Sequence, residues 1–88
     1  MKIQTDTITL LKAAHKSFKN STGETIEYDQ AVLLDNDGNK FEITIAKDAI
    51  VDMTLEKVEG SAEFDASIVR KDNSAAVKLR LLSFTPSA

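Results

Sequence analysis

Asp35, Asp37 and Asn39 in the stretch DNDGN (35–39) set three oxygen-bearing side chains two residues apart. Counted as positions 1, 3 and 5 of a calcium loop, they are followed by Lys40 where the loop needs Gly and by Ala46 where it needs a bidentate Glu. The stretch lies between the apolar runs AVLL and FEITI, so a tight turn between two strands is the better reading. Nucleophilic catalysis has little to work with. There is no cysteine and one histidine, His15, with no strained-turn signature around any serine. Glu24, Glu27 and Asp29 read as part of a solvated strand face, whereas a carboxylate pair must converge on a cleft. Gly23, Gly38 and Gly60 are too scattered for a phosphate-binding loop. The chain is therefore expected not to be an enzyme and to carry no cofactor or metal.

The residues left with chemical potential are cations and aromatics. Lys16 and Lys19 flank Phe18, Lys40 precedes Phe41, and Arg70, Lys71, Lys78 and Arg80 cluster near the C-terminus. Positive charge along a polyanion, with aromatic rings on which bases stack, is the physical recipe for binding single-stranded nucleic acid. The overall charge of −3 conceals this arrangement. Residues 1–23 and 66–88 each sum to +3, whereas residues 24–65 sum to −9. Were the two basic ends neighbours in space, an acidic protein would still present one positive face. The bland alternative is that Phe41 is core, like Ile43 and Ile45 beside it, and that the lysines only keep strands soluble.

Period-two alternation positions these residues. In 26–34, Ile26, Tyr28, Gln30, Val32 and Leu34 share one face. In 40–45, Phe41, Ile43 and Ile45 share a face, and DNDGN joins the two runs into a hairpin. Ala62, Phe64, Ala66 and Ile68, then RKDNS, then Ala75, Val77, Leu79 and Leu81 make a second hairpin with a positively charged tip. A short helical turn is expected near Lys47–Asp52. At the N-terminus two readings compete. Ile8, Leu11, His15 and Phe18 suit a helix, whereas Lys12, Ala14, Lys16 and Phe18 suit a strand face.

The pattern gives an all-β domain spanning residues 1–88, with about five strands in two hairpins and a long first strand. A small five-stranded OB-type barrel fits that count, with an SH3-like barrel as the competing architecture. There is no apolar run near the roughly 20 residues of a membrane span, and residues 1–16 lack the features of a signal peptide. The expected location is cytoplasmic, with no membrane partner.

Two stretches, KSFKNSTGETIEYDQAVLLDNDGNKFEITI and VKLRLLSFTP, resemble the small single-stranded-DNA-binding proteins of filamentous phages, the gene-five-product type. Order and spacing agree over roughly residues 16–86. The resemblance implies an OB-type barrel, a symmetric dimer, and coating of single-stranded DNA in replication without sequence preference. It implies that Lys16 is a basic residue of the DNA-binding strand, that Lys19 lies in the basic loop before Gly23, that Arg80 is close to the DNA path, and that Phe41, after the Gly38-Asn39 turn, is a stacking residue. It departs from the family at Ile26, Leu34 and the polar tip KDNS, where the family has aromatics, and at Ser21, where the family is basic.

The expectation is therefore a DNA-binding module of phage or mobile-element type. Lys16, Lys19, Lys40, Arg70, Lys71, Lys78 and Arg80 would meet phosphates and Phe18 and Phe41 would meet bases, with RNA as the alternative polymer. The competing class is a protein-interaction module whose acidic middle, holding twelve of the fourteen acids, meets a basic partner without nucleic acid.

Overall fold

The computed structural model describes residues 1–87. Five strands run β1 (Lys2–Lys19), β2 (Thr25–Leu34), β3 (Lys40–Ile50), β4 (Val58–Lys71) and β5 (Ser74–Pro86), with no helix among the described residues. The sheet closes in the order β1-β2-β3-β5-β4 and back to β1, the order of an OB-type barrel. All neighbours are antiparallel except β3 and β5, which pair in parallel through Thr44–Arg80, Ile45–Leu81 and Ile50–Ser83.

β1 resolves the N-terminal ambiguity in favour of a strand, and its irregularities explain the ambiguity. Its register shifts between Thr5 and Ile8 and again between Leu10 and Lys12. Each shift exchanges the inward and outward faces. Ile3 and Thr5 lie opposite the inward Phe64 and Ala62; Ile8 and Leu10 then take the interior, and past the second shift Ala13 opposes buried Ala31. A strand so bulged bends sharply enough to pair with both β2 and β4. Its apolar residues no longer recur every second position, so they imitate helical spacing.

The core is built from Ile8, Leu10, Ala31, Leu33, Ile43, Ile45, Ala62, Phe64, Leu81 and Phe84. Leu10, Leu33 and Leu81 are fully buried. Gly60 lets the barrel close: a Cβ there would run into the backbone and ring of residues 84–86, lying 2.8 Å from the tip of Phe84 and 2.9 Å from Cα of Pro86. The helical turn expected near Lys47–Asp52 is absent. β3 continues to Ile50, and Asp52 then shapes a turn by accepting hydrogen bonds from the Thr54 amide (2.9 Å) and hydroxyl (2.6 Å).

DNDGN is the β2–β3 turn. The Asp35 carboxylate accepts from the amides of Asp37 (2.9 Å) and Asn39 (2.8 Å) and from Nδ2 of Asn39 (3.0 Å). Its oxygens are turned onto their own loop, and Gly38 supplies the left-handed φ of +85°. These donors, first among them the Asn39 side chain, hold the Asp35 carboxyl below its ordinary pKa. Asn20 works the same way in the β1–β2 turn. Its Oδ1 accepts from the amides of Thr22 and Glu24, both at 3.0 Å.

Both hairpins outrun the barrel, which accounts for extents of 44 × 29 × 24 Å. β1 pairs with β4 only as far as Leu10, so residues 12–19 continue with β2 alone. The β4–β5 hairpin extends past its last rungs with β1 and β3, at Asp65 and Arg80.

Candidate nucleic-acid interface

Register sorts the β1–β2 hairpin into two chemically different faces. Lys12, Ala14, Lys16 and Phe18 pair with Val32, Gln30, Tyr28 and Ile26. This outer face carries two cations, two aromatics and no acid. Ala13, His15, Ser17 and Lys19 pair with Ala31, Asp29, Glu27 and Thr25 on the opposite face, which takes both acids of β2. The segregation follows from alternation alone, because the acids of β2 fall at odd positions and its aromatic at an even one.

Phe18 is 52 % exposed, and its ring meets that of Tyr28 edge to face, 5.9 Å between centroids at 67°. The two rings lie on a cross-strand diagonal, and edge-to-face packing holds each in place while leaving Phe18 open to solvent. Tyr28 was not among the aromatics singled out in the sequence. Its signal was the alternation itself, which set it on one face with Ile26 and Gln30.

The outer face continues across the sheet. Ala14, Gln30, Thr44 and Arg80 form one lateral row over β1, β2, β3 and β5, with Asp65 of β4 opposite Arg80. Arg80 and Asp65 make an ion pair at 3.7 Å, and Asp65 also faces the N-terminal ammonium at 3.5 Å. Among the described residues no ion pair involves Lys16, Lys19, Lys40, Arg70, Lys71 or Lys78.

Beside the free edge of β2, beyond its last rung with β3, lies a cleft of about 300 Å³. Tyr28, Thr44, Lys47, Lys78 and Arg80 line it, with His15, Glu27 and Asp29 along its rim strands. His15 Nδ1 lies 2.8 Å from Asp29 Oδ1 and its Nε2 lies 3.6 Å from Glu27 Oε1. The hydrogen bond to Asp29, then the Glu27 carboxylate beside Nε2, raises the imidazole pKa above its ordinary 6.5. Among the described residues, no group of three or more His, Asp or Glu side chains is placed to hold a metal ion.

The residues selected from the sequence thus divide. Lys16 and Phe18 share the outer face of the β1–β2 hairpin, and Lys78 and Arg80 border the adjoining cleft. Lys40 stands at the start of β3 beside Leu34, at the far end of the same outer face. Lys19 falls on the opposite face from Lys16, next to the turn. Arg70 and Lys71 sit at the tip of the β4–β5 arm, opposite Ala75 and Ser74. Phe41 is half-buried, paired with fully buried Leu33 and packed against the core. Its face is the inner one, opposite to that of Phe18 and Tyr28.

No protein-family model, curated protein or solved structure matches the chain.

Proposed function

We propose that the chain binds single-stranded DNA along the outer face of the β1–β2 hairpin and into the cleft beside Arg80. The observation that carries this reading is the Phe18–Tyr28 pair, whose Phe18 ring is exposed on the hairpin face that also holds Lys12 and Lys16 and no acid of β1 or β2. Rings held by each other keep their orientation when solvent is displaced, so a base stacks on them at little entropic cost. Lys16, Lys78 and Arg80 meet the phosphates on either side. Stacking is indifferent to base identity, so binding is broadly sequence-tolerant and weakens with salt.

A second copy of the chain seats on the β4–β5 arm. Ile68 and Val77 oppose each other there and are 66 % and 67 % exposed, and Leu79 continues the same face toward the barrel. An antiparallel ribbon with one apolar face is suited to a two-fold contact. A dimer would set two DNA faces in fixed relation, as in the phage proteins the sequence resembles, and a role in replication of a phage or mobile element follows from that resemblance. Titration of a labelled oligonucleotide against protein tests the reading; a folded protein that ignores single strands would instead favour a protein partner.

A further inference from the structure

The only buried side-chain polar atom without a hydrogen-bond partner among the described residues is Oε1 of Gln30. Gln30 lies in mid-sheet, between Ala14 of β1 and Thr44 of β3, in a strand whose next residues are Ala31, Val32 and Leu33. A half-buried position of this kind is best filled by a β-branched or aromatic side chain. An orphaned amide there costs stability, and such departures are expected where a site has been built.

Its surroundings indicate the ligand. Gln30 is on the outer face, two residues along β2 from Tyr28 and one row from Lys16. Its neighbour across the ladder, Thr44, lines the cleft with Tyr28 and Arg80. Ala14 on its other side is small and offers the amide no hydrogen-bond partner from its side chain. A base stacked against Phe18 and Tyr28, with its phosphate toward Arg80, brings its edge over Gln30 and Thr44. Reorientation about the Gln30 side-chain torsions, not the last one alone, would bring the amide oxygen and nitrogen together toward the base.

We propose that Gln30 reads the Watson–Crick edge of an unpaired base, and so selects single strands over duplex. The amide offers a donor and an acceptor side by side. The imide edge of thymine or uracil is the complement: Nε2–H donates to O4 and the base N3–H donates to Oε1. In a duplex that edge is occupied by the pairing base. This inference rests on the proposed single-strand binding, and adds a base contact to what would otherwise be stacking and charge.

The test compares wild type with Gln30→Leu on three probes: labelled oligo(dT), the matching abasic oligonucleotide and oligo(dT)·oligo(dA) duplex. Melting curves of both proteins accompany the titrations. Gln30→Leu should melt higher by about 5 °C, because the unpaired oxygen is gone. It should bind oligo(dT) about tenfold more weakly, the usual scale for losing a bidentate base contact. It should bind the abasic strand as wild type does. Unchanged oligo(dT) affinity in the variant, or an equal loss on both strands, would overturn the base-reading role while leaving single-strand binding intact. Failure of wild type to bind either strand would overturn both.

Discussion

The rings of Phe18 and Tyr28 meet edge to face across the β1–β2 hairpin, 5.9 Å between centroids. Phe18 is open to solvent, whereas Phe41 packs inward on the barrel. The two phenylalanines should therefore respond to truncation in opposite ways. Phe18→Ala should lose about 1–3 kcal/mol of single-strand affinity with an unchanged melting curve. Phe41→Ala should lose about 2–4 kcal/mol of folding stability, read by urea unfolding, because it opens space against the core.

The ion pair of Arg80 with Asp65 restrains a cation that borders the cleft. Both side chains are partly exposed, so the pair itself contributes less than about 1 kcal/mol to folding. Asp65→Asn should leave stability nearly unchanged and raise oligo(dT) affinity a few-fold, with a steeper salt dependence. Anisotropy titrations at low and moderate salt would read both effects.

On the β4–β5 arm, Ile68→Glu combined with Val77→Glu places charge on an apolar face that is already solvent-exposed in a single copy. The fold should survive, since neither residue belongs to the core. Sedimentation should show a dimer for wild type and a monomer for the double variant.

His15 makes the protein's stability depend on pH near neutrality. Its pKa is raised in the folded state by Asp29 and then Glu27. The contribution is thus fully present below 6.5 and is lost as pH rises through the folded value. Wild type should melt slightly lower at alkaline pH than at mildly acidic pH, and His15→Gln should lose that part of the slope. Because His15 is exposed, the effect is small.

Much of this architecture was legible in the sequence because both hairpins alternate cleanly. DNDGN and RKDNS marked their turns, and Phe41, Ile43 and Ile45 did share an inward face. What alternation cannot carry is where a strand breaks step. The two register shifts of β1, and a third opposite Glu63/Phe64 in β5, exchange inside for outside without any residue type that announces them. That is why residues 1–18 read equally as helix, and why Phe84 is buried although it is out of phase with Leu81. The expected helical turn near Lys47–Asp52 failed for a related reason. That segment lies where β3 bulges between its rungs with β5 at Ile45 and Ile50, and bulged pairing spaces residues irregularly. Tyr28 was overlooked because a lone tyrosine in an alternating strand carries no mark of function until its ring is found against Phe18.

Single-strand binding by the outer face of the β1–β2 hairpin and its adjoining cleft, as proposed, can be tested directly. The direct measurement is fluorescence anisotropy of a labelled ~30-nucleotide oligo(dT), titrated with protein at several salt concentrations. With the cations of the face and cleft engaged (Lys12, Lys16, Lys47, Lys78 and Arg80), the logarithm of affinity should fall against that of salt with a slope of about −3 to −4. Binding should saturate, and duplex of equal length should bind more weakly. A folded protein that leaves the anisotropy unchanged at low salt, or binds duplex as well as single strands, would overturn the proposed single-strand binding.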